Sequence, residues 1–271
     1  LAAFSRLIAG LGVMMLAFFS HGYSLMLVWL FTYSVGQHLF LPLSSDIGME
    51  FTKDGRHGRV LGRLQGSENF AAIVGSFIVF LGFKFLNFNF TVSFIIAAAS
   101  FLTASVLMFL MVRNKPIPAK TRFVLRKEYK LYYWLTVLYG MRKQIFLTFA
   151  PWVLVTVFNQ KVQTIATLLT VGGIIGIGFK PLLGRMIDRF GERSVIMLEG
   201  AVLLPVCLGY GFSKELFSPG VALAVIFCCY VADQLLASVN MARAIYLRKI
   251  ALNADEVTST LTMGTTIDHV F

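Results

Sequence analysis

Eight stretches of this chain are apolar over about the 20 residues that a helix needs to cross a lipid bilayer. They cover residues 1–20, 23–45, 61–85, 90–112, 131–158, 162–183, 195–212 and 221–245. A ninth begins near Val257 and runs to the end of the sequence, which is shorter than a full span. This pattern predicts an all-α integral membrane protein with many spans.

The composition agrees with that prediction. Hydrophobic residues make up 57% of the chain and charged residues only 14%, whereas a soluble domain carries about 25% charged residues. The polar surface is too small to cover a water-soluble particle of 271 residues. Disordered proteins, coiled coils and disulfide scaffolds are excluded as well.

The basic residues alternate along the connections between spans. One set of connections holds 18 of the 24 Lys and Arg residues, and the intervening set holds three. Connections rich in Lys and Arg stay on the cytoplasmic side of a membrane. We therefore attribute the net charge of +11 to membrane orientation and to contact with anionic lipid headgroups, and expect no nucleic-acid partner.

The most basic connection, residues 113–130, divides the chain. We expect it to be a cytoplasmic linker between the remainder of an N-terminal transmembrane half, residues 1–112, and an incomplete C-terminal half, residues 131–271. Tyr33–Gln37 resembles Tyr230–Gln234, which indicates a faint internal repeat of the kind found in transporters. Because both ends of the sequence lie within apolar stretches, we interpret the chain as a fragment.

A short motif follows the sixth apolar stretch. It reads GRMIDRFGERSVI over residues 184–196. Asp188 is predicted to lie near the N-terminus of the following helix, where a carboxylate is favoured. Gly184 permits close helix packing, and Gly191 permits a turn with positive φ. The motif resembles the signature loop of the major facilitator superfamily through Gly184, Asp188, Arg189, Gly191 and Arg193.

The resemblance implies a helical bundle of two pseudo-symmetric six-helix halves. In this register the chain runs from the family's third helix into its eleventh, and the signature loop acts as a cytoplasmic latch in which Arg189 and Arg193 pair with Asp188 or with lipid phosphate. The first helix of each three-helix repeat lines the substrate cavity. The midplane polar residues on those helices are His38, Arg142, Lys143, Asp233, Gln234 and Asn240.

Charged residues near the middle of a span are costly in lipid and usually face a cavity or a partner. Arg142 or Lys143 is a candidate to bind an anionic group, and a structural ion pair is the alternative. Asp233 is either a proton-coupling group or the ionised partner of one of these cations. Asp268 lies in the polar ninth segment, where it is a candidate member of the same polar network.

Two further midplane residues have open roles. Glu68 is either a second proton carrier or the salt-bridge partner of Arg63 or of another helix. His38 either titrates near physiological pH or is a hydrogen-bonded structural residue. Gly62 and Gly66, one helical turn apart, predict a face for close helix packing.

These observations predict a secondary active transporter. It would move a small solute by alternating access, as a symporter or antiporter coupled to protons or another ion, in the plasma (inner) membrane. The alternative is a receptor or assembly factor with the same fold that does not transport. No catalytic motif, metal-ligand spacing or nucleotide fingerprint occurs in the sequence, so we expect no enzyme activity, no metal and no cofactor.

Overall fold

The computed structural model describes residues 1–19, 22–50, 52, 55–111 and 126–270. In these residues the chain is helical and has no strand. The α-helices are α1 (Ala2–Phe18), α2 (Tyr23–Glu50), α3 (His57–Phe85), α4 (Phe90–Leu110), α5 (Lys130–Trp152), α6 (Val162–Phe190), α7 (Glu192–Leu216), α8 (Pro219–Leu236), α9 (Asn240–Ile250) and α10 (Ala254–Val270). Of the predicted linker 113–130, residues 113–125 lie outside the described residues.

Six helical segments in the described part of the chain are long and apolar enough to cross a membrane. They are α2, α3, α4, α6, α7 and the combined stretch of α8 and α9. Of the eight predicted spans, α1 falls short of this standard with 17 residues. The second predicted span that is not among the six is α5, which carries Arg142, Lys143 and Gln144 near its middle. The all-α membrane fold is therefore confirmed.

The described residues form two compact units. The first takes its residues from Leu1–Ile47 and Val74–Thr121, and the second from Gly48–Ile73 and Arg122–Phe271. In the first unit α1 packs closely on α2 and α4. A Cβ atom on Gly12 would lie 2.6 Å from the backbone nitrogen of Tyr33, and Ser105 donates a hydrogen bond of 2.7 Å to the carbonyl oxygen of Ala3. Small residues thus allow helix backbones to touch.

In the second unit the start of α3 packs against α6, and the two backbones approach each other closely at glycine positions of α3. A Cβ atom on Gly62 would collide with the carbonyl oxygen of Lys180, and one on Gly66 would lie 3.1 Å from the carbonyl oxygen of Ile177. The predicted small-residue packing face at Gly62 and Gly66 is therefore confirmed. Such contact leaves no space for a larger side chain on this face of α3.

The predicted span 221–245 is not one continuous α-helix. Ala237–Val239 form a 3₁₀ turn between α8 and α9. The hydroxyl of Tyr139 donates to the Ala237 carbonyl oxygen at 3.2 Å, and Arg142 donates to that of Asp233 at 3.3 Å. These side-chain hydrogen bonds to helix carbonyl oxygens coincide with the break between α8 and α9.

Candidate functional site

The side chain of Arg142 joins three helices of the second unit. From α5, its Nη1 donates to Glu199 Oε1 of α7 at 2.7 Å. Its Nη2 donates to Asp233 Oδ1 of α8 at 2.5 Å. The three side chains are 13%, 6% and 17% exposed, respectively. The planar guanidinium presents fixed N–H donors that can serve two carboxylates at once.

A second arginine supports one of those carboxylates. Arg243 of α9 donates from Nη1 to Glu199 Oε2 at 3.2 Å, and its guanidinium carbon lies 3.9 Å from the centre of the Tyr139 ring. Two arginines and two carboxylates make the network neutral when all four are ionised. Breaking a buried ion pair by removing one partner costs about 3–5 kcal/mol, so this balance is what permits the burial. We refer to Arg142, Glu199, Asp233 and Arg243 as the ion network.

Lys143, the neighbour of Arg142, pairs with a different helix. Its Nζ donates to Asp268 Oδ2 of α10 at 2.9 Å. Adjacent residues on a helix point about 100° apart, and these two cations accordingly bind separate carboxylates. The structure thus brings Arg142 and Asp233 together and places Lys143 in a second ion pair, with Asp268 of α10.

A cavity of about 170 Å³ lies beside the ion network, between α5, α6 and α8. At about 30 Å³ per water molecule, this is the volume of five or six waters. Arg142, Lys143 and Asp233 give it charged wall residues, whereas Phe146 and Leu147 belong to its apolar part. The other lining residues are Tyr139, Ala150, Pro151, Leu169, Tyr230, Gln234 and Ala237.

The remaining predicted residues of α8 and α9 have separate partners. Gln234 lines the cavity, and its Nε2 donates to the carbonyl oxygen of Leu169 at 3.1 Å. Asn240 is exposed, and its Oδ1 accepts a hydrogen bond of 3.4 Å from Gln65 of α3. The predicted common polar face of Asp233, Gln234 and Asn240 is therefore divided, because the 3₁₀ turn interrupts the helical spacing.

Glu68 lies on α3 and is exposed. Next to it, Asn69 accepts a hydrogen bond of 2.7 Å from Lys180 Nζ of α6 and donates to the carbonyl oxygen of Gly173 at 3.2 Å. Lys180, which the charge pattern assigned to a connection, therefore lies within the α3–α6 contact.

His38 belongs to the first unit, on α2. Its Nδ1 lies 2.8 Å from the carbonyl oxygen of Ser34 and 3.2 Å from the Ser34 hydroxyl. The side chain is exposed. Its neighbour Gln37 accepts a hydrogen bond from Arg6 of α1, so this part of α2 has a polar contact of its own.

The signature loop makes its principal contact with α3. Asp188 Oδ1 accepts from the backbone N–H of Gly58 at 2.7 Å, and Oδ2 accepts from that of Arg59 at 2.8 Å. The sequence predicted instead that the Asp188 carboxylate would lie at the N-terminus of the following helix, α7, and stabilise it. The first amides of α3 have no acceptor within their own helix, and the close contact of Gly184 with Gly58 brings them to the carboxylate.

The other loop residues have separate surroundings. Gly191 has φ +84°, which confirms the predicted turn. The Arg189 guanidinium lies 5.3 Å from the centre of the Phe190 ring, and Arg193 is exposed. Glu192 accepts a hydrogen bond from Lys249 Nζ and so joins the start of α7 to the end of α9.

Sequence reasoning missed two members of the ion network. Glu199 lies inside the predicted span 195–212, and this carboxylate within an apolar stretch was the signal available. Arg243 was counted among the charges of a connection although it lies inside the predicted span 221–245. Its position two residues before the end of that span concealed its burial, and the side chain is 8% exposed.

Span-length helices around a neutral ion network define a polytopic helical membrane protein with a polar interior. A model of the Major Facilitator Superfamily matches residues 1–251, and the chain belongs to this family of membrane transporters. The predicted membership is thereby confirmed. It implies a lipid environment and a small-molecule substrate. No curated protein matches the chain in a sequence comparison.

Proposed function

We propose that this protein is a secondary active transporter that moves a small solute by alternating access, driven by a proton or other ion gradient. The observation that carries the proposal is the Arg142 guanidinium, shared by two carboxylates at the wall of a cavity between α5, α6 and α8. In this proposal residues 1–112 and 131–271 belong to the two transmembrane halves, and the 113–130 linker is cytoplasmic in the plasma membrane.

The position of Arg142 supports a role in solute binding. It lies near the middle of α5 (Lys130–Trp152), where a charge is costly in lipid and is retained for function as a rule. A solute that reaches this cavity meets charged and polar groups at one part of its wall and apolar side chains at another. Small-molecule sites generally combine the two in this way.

Asp233 is the coupling group in this proposal. Its carboxylate lines the cavity and binds Arg142. A proton on Asp233 would remove the charge that holds Arg142, so protonation and solute binding would act on the same guanidinium. Glu68 and His38 are further coupling candidates, and both are exposed on their helices.

The contact between Asp188 and α3 supports alternating access. It consists of two hydrogen bonds from backbone amides to one half-buried carboxylate, which can separate without unfolding either helix. The contact connects the loop after α6 to the start of α3. We propose that it forms and breaks as the cytoplasmic side closes and opens.

Thiol labelling from each side of the membrane tests the proposal. In a background in which Cys207, Cys228 and Cys229 are replaced by serine, Ala237→Cys places a thiol at the cavity wall and leaves the ion network intact. The full-length protein is reconstituted into proteoliposomes and treated with a membrane-impermeant maleimide from either face. We expect labelling from both faces, with a ratio that shifts when a proton gradient is imposed or reversed.

Leu204→Cys is the matched control, because Leu204 is 68% exposed on α7 and does not line the cavity. Position 204 is at the middle of a span-length helix, so the impermeant maleimide should not label this thiol from either face under any gradient. Labelling of position 237 from one face only, unchanged by gradients of either direction, would exclude alternating access. It would favour a receptor or assembly factor with the same fold.

A further inference from the structure

Glu199 and Asp233 share Arg142, but they differ in whether another cation remains beside them when the Arg142 guanidinium moves away. Glu199 still accepts from Arg243 at 3.2 Å and keeps a buried cation beside it. Among the described residues, the Asp233 carboxylate accepts one hydrogen bond, which Arg142 donates. Withdrawal of Arg142 from Glu199 leaves a balanced pair, whereas withdrawal from Asp233 leaves a bare carboxylate.

The two carboxylates also differ in their access to the cavity. Arg142 and Asp233 line it, and Glu199 and Arg243 do not. The latter two side chains are only 6% and 8% exposed. A molecule in the cavity can therefore compete with Asp233 for the guanidinium without reaching Glu199.

The wall beyond the charged groups is apolar. Along α5, Phe146, Leu147 and Ala150 follow Arg142 at helical spacing on the cavity side, and Leu169 of α6 also lines the space. The cavity of about 170 Å³ suits a small solute. Its chemistry combines a cation that binds a carboxylate with a surface that packs against a hydrocarbon body.

We infer that the substrate is a small organic anion with an apolar body, whose anionic group exchanges with Asp233 on Arg142. Glu199 is a positioning residue in this exchange. Held by Arg243, it keeps the Arg142 guanidinium at the cavity wall while Asp233 is displaced. This inference rests on the proposed transport function and names the substrate class of that site.

Two isosteric variants separate this exchange from a simple effect of net charge. Asp233→Asn and Glu199→Gln each remove one negative charge from the ion network. Only the first leaves Arg142 without its partner on the cavity side, whereas the second leaves the excess positive charge at Arg243. The probe is benzoate, with benzamide as its neutral counterpart.

Binding is measured from the thermal unfolding midpoint of the full-length protein in lipid nanodiscs, titrated with each probe. We expect benzoate to bind Asp233→Asn about tenfold more tightly than the wild type, since a charge-assisted hydrogen bond contributes that much or more. Glu199→Gln should show no gain. Benzamide should distinguish none of the three proteins, and Arg142→Gln added to Asp233→Asn should abolish the gain.

Equal gains in the two single variants would show that net charge alone attracts benzoate and would overturn the inference. The absence of a gain in a folded Asp233→Asn protein would overturn it too, and Asp233→Ser replaces that variant if it does not fold. The measurement needs no gradient and no transport. The benzoate measurement can therefore contradict the inference while the labelling at position 237 still supports alternating access. It can also support the inference when the labelling at position 237 excludes alternating access.

Discussion

Replacing Asp188 by Asn removes a charge from the contact between the loop after α6 and the start of α3. In the wild type, the two carboxylate oxygens accept from Gly58 N at 2.7 Å and from Arg59 N at 2.8 Å. Asn has the same shape but only one acceptor oxygen. Its NH₂ group would face one of the two amide donors, so one hydrogen bond is lost and the other becomes a neutral one.

The cost of this change can be worked from those two bonds. A hydrogen bond to a charged group contributes about 1.5–3 kcal/mol, and a neutral one about 0.5–1.5 kcal/mol. Asp188 is half-buried, and solvent screening places both contributions near their lower limits. With each bond to the carboxylate at about 1.5 kcal/mol and the remaining neutral bond at about 0.5 kcal/mol, we expect a loss of about 2.5 kcal/mol, which corresponds to a factor of about 70 in the equilibrium for opening this contact.

Hydrogen exchange of the first α3 amides measures that opening directly. The full-length Asp188→Asn protein in nanodiscs should exchange the amides of Gly58 and Arg59 faster by the same factor. Glu192→Gln is the matched control, since it removes the same charge four residues further along the chain from a carboxylate that binds Lys249. Amide exchange within about twofold of the wild type in Asp188→Asn, or equal acceleration in Glu192→Gln, would refute the reasoning.

Three further outcomes follow from the packing and charges of the second unit. Arg142→Gln should lower the free energy of unfolding by about 3–5 kcal/mol because it leaves a buried carboxylate without its cation; adding Asp233→Asn should recover part of the loss in the same denaturation assay. Gly62→Ala should lower it by about 1–3 kcal/mol because the new Cβ collides with the α6 backbone. Gly178→Ala, which meets open space in α6, should be neutral or stabilising by less than about 1 kcal/mol. Burial, together with a hydrogen bond to a carboxylate, raises the pKa of Tyr129. The unfolded state therefore loses this proton first, and the contribution of Tyr129 to stability should fall as the pH rises above about 10. Tyr129→Phe should make the decline in thermal midpoint across this pH range less steep.

Most of the helical framework could be predicted from the sequence. The apolar stretches 90–112 and 195–212 correspond to α4 and α7, and the glycine spacing of α3 predicted its packing face. The break between α8 and α9 could not be read in the same way. It coincides with hydrogen bonds to the carbonyl oxygens of Asp233 and Ala237 from residues of α5, almost a hundred residues away in the chain.

The candidate site was predicted only in part. Arg142 and Asp233 stood out because they lie in the middle of apolar stretches, and the structure joins them. Glu199 and Arg243 lie nearer the ends of theirs, where a charge is ordinarily near the membrane surface. Their burial depends on the neighbouring helices that pack over them, and no local sequence pattern indicates which helices those are.

The sequence by itself determined that this chain is a helical membrane protein, and its signature loop indicated the family. Both are local properties, since the free energy of placing a 20-residue segment in lipid is a sum over its own side chains. Only the tertiary structure decided which charges meet. Asp188 binds the start of α3 rather than its own following helix, and Arg142 is shared between α7 and α8. These partners follow from the rotation and contact of helices far apart in sequence, where the close approach of backbones at glycines selects which amides and carboxylates come within hydrogen-bond distance.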